Sequence, residues 1–409
     1  MPNPITNFRD SNNADLGNIL ITKEYLMSVY PQIANQIITP ELWIWGANSA
    51  NSWGRMGDNT TTLKCTPVTT FAGGANWKLV SCGTDCTASI KTDGTLWIWG
   101  NGSTFPAILG NFRTVIICTP VTTFAGGTNW KQVACGTEPT AAIKTDGTLW
   151  VWGSGLGLGI TANLVRCTPV TTFAGGTNWK QVSCGLNHTA AIKTDGTLWI
   201  WGINTSGKIG HNATNNPFTP VTTFAGGTNW KQVSCGREHT AAIKTDGTLW
   251  TWGRNTQGQL GVNDTTSNRT TPVTTFAGGT NWKQVACGGY FIAAIKTDGT
   301  LWTWGQNLSS QLGINTFGDR PTPVTTFTGG TNWKQVSAGS ANTAAIKTDG
   351  TLWIWGSGTS GQLGNNTTNS SSNTAVTTFA GGTDWKQVSM CTVGNGIAAI
   401  KTSDNLQGI

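Results

Sequence analysis

Two tryptophan signatures recur along the chain at nearly constant spacing, and they constrain the fold more than any other feature. The tryptophan of NWK or DWK returns every 49 to 53 residues, at Trp77, Trp130, Trp179, Trp230, Trp282, Trp333 and Trp385. The second signature, LWxWG, also occurs seven times, with its first tryptophan at Trp43, Trp97, Trp150, Trp199, Trp250, Trp302 and Trp353. A period near 50 residues with strand-like content is typical of a propeller or a β-solenoid.

One complete unit, residues 179–229, contains four short stretches with strand character. They read WKQVSCG, TAAIKT, LWIWG and TPVTTF. Asp195-Gly196 joins the second and third, and this pair is a strong hairpin signal because glycine accepts the positive φ of a type I′ turn. The proline near the start of the fourth stretch suits an outer edge, where a missing N–H is harmless. Seven such units predict an all-β fold, a seven-bladed β-propeller of four-stranded antiparallel blades.

The sequence begins and ends partway through a repeat unit. ITPELWIWG at 38–46 has no strands of its own unit before it, and the last unit stops after KTSDN without an LWxWG. We therefore predict that the N-terminal strand completes the C-terminal blade, with Leu42 to Trp45 paired with the strand around Ala398–Lys401. The propeller then spans 38–409. Residues 1–37 form an arm with a short helix near 22–30, capped by Thr22 and ended before Pro31.

The consensus GxxHTAAIKTDGTLWxWGxNxxGQLG resembles the repeat of the regulator of chromosome condensation family. The resemblance covers residues 40–409 and implies a seven-bladed propeller. Family members include a nucleotide exchange factor for a small nuclear GTPase, plant ultraviolet-B sensors, and propellers attached to ubiquitin ligases. The sensors carry tryptophan in a GWRHT loop, whereas the matching loops here read GLNHT (185–189) and GREHT (236–240), so photoreception is not expected. We find neither the wedge-like insertion nor the acidic loops of the exchange factor.

The seven units differ from one another mainly in two places. TDGT and FAGGTN barely change, whereas the triplet after the first-strand glycine and the long loop after LWxWG change freely. Because strand direction alternates, both variable segments emerge on one face of the propeller. Loops on a rigid scaffold commonly carry binding residues, although surface loops also drift because they are unpacked. We predict that this face recognises a protein or a glycan.

The candidate contact residues are the large or charged side chains of these loops. Tyr290-Phe291 is the strongest pair, because exposed aromatic side chains are common at binding hot spots. The alternative for Phe291 is that it fills the inner mouth of the channel. The full set is Trp53, Arg55, Asp85, Glu138, Arg237, Glu238, His239, Arg254, Tyr290, Phe291, Phe317 and Arg320.

The net charge of +7 comes from a regular pattern rather than from a basic patch. The lysines of WK and IKT recur in every unit and outnumber the aspartates of TDG. Phosphate groups could contact such a ring. No arginine cluster or base-stacking pattern accompanies it, so nucleic acid is not favoured as a partner.

Cysteine and histidine do not indicate a metal site. One repeat position holds Cys82, Cys135, Cys184, Cys235 and Cys287, but Ala338 and Met390 in the last two units, which is typical of a packing position. Three scattered histidines cannot form a zinc site without other ligands. No nucleophile–base set, phosphate loop or paired-carboxylate pattern occurs in any unit. We therefore expect no enzyme, no cofactor and no metal.

These observations favour a non-catalytic binding or structural scaffold, attached to a protein partner or larger assembly through residues 1–37. Uniform, weakly charged repeats look similar to phage and bacterial propellers, so one form of this prediction is a capsid- or tail-associated component on a virion surface. The alternative is guanine nucleotide exchange on a small GTPase, or its regulation at chromatin. The N-terminus lacks a signal peptide and no apolar run spans a membrane, so we expect cytoplasmic synthesis without membrane insertion.

Overall fold

Seven four-stranded antiparallel sheets surround a central channel. The computed structural model describes residues 38–47, 54–71, 76–102, 108–111, 115–160, 165–172, 174–368 and 371–404. In these ranges the chain forms twenty-eight strands, and each sheet is one blade. Blades 1 to 6 follow in chain order from residue 77 to residue 377, and blade 7 combines both ends of the chain. The predicted seven-bladed propeller is thereby confirmed.

The strands of each blade run outward from the channel, and in the lists below they are given for blades 1 to 7. The innermost strands are Trp77–Cys82, Trp130–Cys135, Trp179–Cys184, Trp230–Cys235, Trp282–Cys287, Trp333–Ala338 and Trp385–Met390. The second strands are Cys86–Lys91, Pro139–Lys144, His188–Lys193, His239–Lys244, Phe291–Lys296, Asn342–Lys347 and Gly396–Asp404. The third strands are Leu96–Asn101, Leu149–Gly153, Leu198–Gly202, Leu249–Gly253, Leu301–Gly305, Leu352–Gly356 and Ile38–Gly46. The outermost strands are Ile116–Thr122, Arg166–Thr171, Val221–Thr222, Arg269–Thr274, Arg320–Thr325, Ser372–Thr377 and Lys64–Thr69.

Two short 3-10 helices, Leu156–Leu158 and Thr205–Gly207, lie in the loops after the third strands of blades 2 and 3. The N-terminal arm predicted for residues 1–37, with its helix near 22–30, lies outside the described residues and stays a prediction.

The N-terminal strands complete blade 7, as the phase of the repeat predicts. Ile38–Gly46 pairs with Gly396–Asp404 over nine residue pairs, including Leu42 with Ile400 and Trp45 with Ile397. Lys64–Thr69 then adds the outermost strand, so each end of the chain supplies two strands. The indole Nε1 of Trp45 also donates to the carbonyl of Gln362 in the loop of blade 6 at 2.9 Å. Closure therefore fixes both ends of the chain to the ring.

The hydrophobic core lies between neighbouring blades. The alternation of a pleated strand sends one set of apolar side chains to each face of a blade. Between blades 3 and 4, Ile192, Leu198 and Ile200 of blade 3 pack on the larger side chains of blade 4. There Trp230 meets Trp250 and Trp252 edge-on, with ring centroids 6.3 and 6.4 Å apart. Edge-to-face aromatic pairs add stabilisation beyond the area they bury, which explains why the two tryptophan signatures recur together.

A ladder of glutamine side chains joins the innermost strands around the channel. Gln181 Nε2 donates to Val233 O at 3.0 Å, and Val233 N donates to Gln181 Oε1 at 3.0 Å, so one amide satisfies a backbone pair of the next blade. The same two bonds form from Gln132, Gln232, Gln284, Gln335 and Gln387. Blade 1 has Leu79 at this position and lacks the pair toward blade 2.

We expect Gln232→Leu to lower the free energy of unfolding by about 1–3 kcal/mol, because it leaves the N–H and C=O of the buried Val285 unpaired. Leu79→Gln is the matched reverse change, and it should raise the free energy of unfolding by completing the ladder between blades 1 and 2. Guanidinium denaturation of both variants measures the two effects. Equal stability of Gln232→Leu and wild type would show that the ladder contributes nothing.

The repeated cysteines line the channel. A cavity of about 180 Å³ is bordered by Cys82, Cys135, Cys184, Cys235 and Cys287 together with Ser81, Ser183 and Ser234. All ten cysteines are free thiols. Burial raises the pKa of the thiols of Cys82, Cys184 and Cys235, and that of Cys287 to about 12, so the thiols are protonated at neutral pH. Protonated thiols pack as small apolar groups.

The end of the propeller that carries the DG hairpins and the AGGTN links is called the constant face. Asp195 Oδ1 accepts hydrogen bonds from Thr197 N and Oγ1 at 2.9 and 2.7 Å, and Thr197 Oγ1 accepts one from Trp199 Nε1. A Cβ on Gly196 would lie 2.0 Å from Thr228 O in the following link, so only glycine fits. Hydrogen bonding and close approach together explain why TDGT does not vary among blades 1 to 6.

Candidate functional site

The opposite end of the propeller, called the loop face, carries the segments that vary among the units. Its inner ring consists of the short loops between innermost and second strands, at 83–85, 136–138, 185–187, 236–238, 288–290, 339–341 and 391–395. Its outer part consists of the long loops between third and outermost strands. These long loops are partly buried, since they carry one apolar side chain between adjacent blades, as Leu260 does with 0% exposure.

The first residue of each second strand is turned inward beneath the inner ring. His188, His239 and Phe291 are 0% exposed and occupy equivalent positions in blades 3, 4 and 5. A Cβ on Gly236 would lie 2.5 Å from His239 Cε1, and one on Gly288 would lie 2.3 Å from Phe291 Cε1. The ring of each side chain therefore covers the glycine of its own loop. The expectation that His239 and Phe291 are exposed contact residues is wrong, because they begin strands rather than end loops.

Four of the predicted contact residues meet at the boundary of blades 4 and 5, in what is called the Tyr290 cluster. The guanidinium carbons of Arg237 and Arg254 lie 5.3 and 5.0 Å from the centroid of the Tyr290 ring. Arg254 Nη1 forms an ion pair with Glu238 Oε2 at 2.8 Å. All four side chains are half-buried, so each has solvent-accessible surface on the loop face.

Backbone hydrogen bonds hold the Tyr290 cluster in place. Arg254 N donates to Glu238 O at 2.9 Å, which joins the long loop of blade 4 to its own short loop. Arg237 N donates to Gly288 O at 3.4 Å, which joins the short loops of blades 4 and 5. Stacking of arginine on an aromatic ring removes rotamer freedom from the guanidinium in advance. The cluster is thus a rigid aromatic group with two oriented cations and one carboxylate.

Lys208 is a buried lysine near the Tyr290 cluster that the sequence analysis missed. It is 0% exposed, and its Nζ has no hydrogen-bond partner among the described residues. Burial lowers its pKa to about 8, while the carboxylates of Glu238 and Glu138 act in the opposite direction. Lys208 replaces the glutamine found at the equivalent positions Gln259 and Gln311 of later blades, and that replacement was the signal available in the sequence.

Arg55 and Asp85 are two further buried ionisable residues, at the boundary of blades 7 and 1. They are each 2% exposed, and Arg55 Nη2 donates to Ala47 O at 2.9 Å. Arg55 Nη1 also donates to Thr84 O. Burial raises the pKa of Asp85, and the guanidinium of Arg55 opposes that shift. The expectation that these two side chains are exposed contacts is wrong, because both are buried, and Arg55 joins the two blades through its hydrogen bonds to Thr84 and Ala47.

The remaining candidates lie apart from one another. Glu138 is half-buried on the short loop of blade 2, where burial raises its pKa against the opposing effect of Lys208. Phe317 is 73% exposed on the long loop of blade 5, and Arg320 Nη2, at the start of the following strand, donates to Thr316 Oγ1 at 3.0 Å. Trp53 lies outside the described residues. Binding by any of these residues stays a prediction.

Acid should destabilise the protein through its buried histidines. Burial lowers the pKa of His239 to about 4, below the ordinary value of 6.5. The unfolded chain therefore takes up this proton between pH 6.5 and 4 while the folded chain does not, so the free energy of unfolding falls as the pH falls through that window. His239→Phe, which copies Phe291 of blade 5, should show a shallower fall when urea denaturation is repeated from pH 7 to 4. Parallel curves for the two proteins would contradict the assignment.

Neither a metal centre nor a membrane span is found among the residues that the structure describes. No group of three or more histidine, cysteine, aspartate or glutamate side chains in these ranges is positioned to hold a metal ion. No helix in the same ranges has the length and apolarity needed to cross a bilayer.

The seven-bladed fold and the repeated sequence motif identify the family to which the chain belongs. The sequence profile of the RCC1-like domain matches residues 37–316 and 119–400, and the chain belongs to that family. Among relatives, the chain is 30% identical to the ultraviolet-B receptor UVR8 of Arabidopsis thaliana over 328 residues, which are 79% of this chain and 61% of the receptor. It is 27% identical over 374 residues to the mitochondrial RCC1 domain-containing protein RUG3 of the same plant, covering 84% of this chain and 83% of that protein.

Solved structures agree on the architecture. Yeast RCC1 (Prp20), in a crystal structure bound to Kap60, superimposes with a TM-score of 0.78 at 20% identity, covering 90% of each chain. Prp20p of Saccharomyces cerevisiae, in a study of its binding to Gsp1p and histones, gives 0.77 at 19% identity, covering 94% of this chain and 96% of that one. Likeness at this identity shows the fold alone.

Proposed function

We propose that the protein is a non-catalytic scaffold that binds a protein partner through its loop face, centred on the Tyr290 cluster. The observation that carries the proposal is the coincidence of two properties at one place. The short loops vary from blade to blade, and two of them bring Tyr290 and Arg237 into stacking contact on a rigid support. Tyrosine and arginine are the residues most enriched at binding hot spots, together with tryptophan.

The charges of the cluster favour an acidic patch on the partner. Arg254 is paired with Glu238 at 2.8 Å, whereas no carboxylate of the described residues lies within ion-pair distance of Arg237. A guanidinium held against an aromatic ring presents a planar fork that suits a carboxylate. A binding role agrees in general terms with what is known of yeast Prp20, which is bound to Kap60 in one structure and was studied for its binding to Gsp1p and histones in the other.

The proposal is tested by comparative affinity capture from the cells that make the protein. Tyr290→Ala combined with Arg237→Ala should reduce the capture of specific partners at least about tenfold, because a hot-spot residue contributes about 2 kcal/mol or more. The matched control combines two exposed constant-face changes, Lys180→Ala and Lys231→Ala, and should keep the same protein partners in extract treated with nuclease. Identical partner sets for the two double variants would overturn the loop-face assignment.

Three finer proposals concern the kind of partner. Guanine nucleotide exchange is the alternative function, and release of a fluorescent GDP analogue from small GTPases would detect it.

Binding of a glycan instead of a protein would appear as retention on a glycan array that depends on the Tyr290 cluster. Attachment to a phage particle rests on the sequence pattern and on residues 1–37, and it requires that removal of these residues abolish incorporation into particles.

A further inference from the structure

A ring of lysines surrounds the channel on the constant face. Pairing of each innermost strand is irregular between its tryptophan and the residue two positions on, so the lysine between them occupies a β-bulge. Bulges redirect a side chain away from the regular pleat. The seven lysines are all exposed, and none has a carboxylate within ion-pair distance among the described residues: Lys78, Lys131, Lys180, Lys231, Lys283, Lys334 and Lys386.

A second ring, of phenylalanines, lies at the outer rim of the same face. Thr326 N donates to Leu301 O beside the DG hairpin of blade 5, which places the following Phe327 at the constant-face end of its blade. Equivalent phenylalanines of the described ranges are 63–71% exposed: Phe71, Phe124, Phe224, Phe276, Phe327 and Phe379. Filling the hydrophobic core does not explain a side chain that is two-thirds exposed, yet all seven units have phenylalanine here.

The charged side chains of the constant face have a positive net charge. Blades 1 to 6 each carry two lysines on this face, one in the bulge and one at the end of the second strand, against a single hairpin aspartate. The second lysine is stacked on tryptophan, as Lys193 Nζ is, 4.8 Å from the centroids of Trp179 and Trp199. The aspartate is engaged with its own turn, as Asp195 is with Thr197. Within the described ranges the face therefore repeats an exposed cation seven times and an exposed aromatic ring six times.

We infer that the constant face binds single-stranded nucleic acid, with the bulge lysines contacting phosphates and the rim phenylalanines stacking on bases. Sequence-independent binding of single strands combines a cationic surface with aromatic platforms. The repeated lysines and phenylalanines suit a polymer in which a phosphate and a base also repeat. The aspartate and glutamate side chains of an acidic protein segment would meet the lysines but have no ring to stack on the phenylalanines. The rim phenylalanines supply the base-stacking pattern that the sequence analysis did not find. This site is independent of the Tyr290 cluster.

The test measures fluorescence anisotropy of a labelled thirty-nucleotide oligo-dT with the full chain, as a function of salt. Lys180→Gln, Lys231→Gln and Lys283→Gln combined should raise the Kd at least about tenfold and lower the slope of log K against log salt by about 2, because each phosphate contact of a single strand contributes about 0.7. The matched control removes three cations that begin outermost strands on the loop face, with Arg166→Gln, Arg269→Gln and Arg320→Gln, and should leave both quantities unchanged.

Stacking is tested separately with Phe224→Leu, Phe276→Leu and Phe327→Leu combined, which keep apolar surface but remove the rings. This variant should bind oligo-dT at least about tenfold more weakly, since each stacked base contributes about 1–3 kcal/mol. It should bind an abasic oligonucleotide of equal length as wild type does. No binding at low salt, or equal loss in the loop-face control, would overturn the site. Equal affinity of wild type for oligo-dT and for the abasic strand or heparin would overturn the assignment to nucleic acid.

Discussion

Removal of residues 1–70 is expected to abolish the cooperative thermal unfolding transition of the propeller. The truncation leaves blade 7 with two strands, and Gly396–Asp404 loses its nine paired residues on one side. Trp385 also loses its edge contacts with Trp43 and Trp45, whose ring centroids lie 6.2 Å away. An unpaired sheet edge with an exposed core face cannot keep the ring closed. Thermal unfolding followed by near-ultraviolet circular dichroism measures the loss.

The control for this truncation is a chain that lacks only residues 1–37. It retains both closing strands and should keep a sharp transition near that of the full chain. A peptide of residues 38–70, added to the longer truncation, should restore the transition in proportion to its concentration. A truncated chain that melts like wild type without the peptide would contradict the account of closure.

Trp201→Ala is expected to lower the free energy of unfolding by about 3–5 kcal/mol, the usual cost of deleting a buried tryptophan. The indole is 0% exposed, and its Nε1 donates to Gly157 O of the preceding blade at 2.9 Å. Its ring also meets Trp179 edge-on, with centroids 6.5 Å apart. The substitution therefore creates a cavity and removes a hydrogen bond between two blades.

The control is Phe224→Ala, since this side chain is 65% exposed and its loss should change stability by less than about 0.5 kcal/mol. Guanidinium denaturation of both variants gives the comparison. Similar values for Trp201→Ala and Phe224→Ala would show that the repeated tryptophans do not form the core between blades.

The architecture could be predicted because the repeat encodes it in adjacent residues. Strand alternation, the Asp195-Gly196 hairpin and the spacing of the tryptophans all act within one unit. The closing strand was predictable for the same reason, because Leu42 to Trp45 carries a signature that the last unit lacks. The partners of Gln181 were not predictable, since its amide bonds to Val233 in the next blade and no pattern within one unit shows this contact.

The candidate site was predicted in its members but not in its arrangement. Arg254 follows the third strand of blade 4, and Tyr290 precedes the second strand of blade 5, so only the folded ring brings them together. The burial of His239 was not predicted and that of Phe291 was predicted only as the alternative, because sequence alone does not show where the loop ends and the second strand begins. Lys208 was missed, since its replacement of the glutamine found in later blades is visible only when the long loops of the units are aligned position by position.

The central claim, that the loop face at Tyr290 is the protein-binding surface, is tested most directly by site-specific photocrosslinking. A photoreactive phenylalanine analogue replaces Tyr290 in one protein and the constant-face residue Phe276 in another, and both are irradiated in the cells that make the protein. The account predicts a discrete protein adduct at position 290 that Arg237→Ala abolishes, and no such adduct at position 276. A protein adduct confined to position 276, or one at 290 that survives Arg237→Ala unchanged, would contradict it.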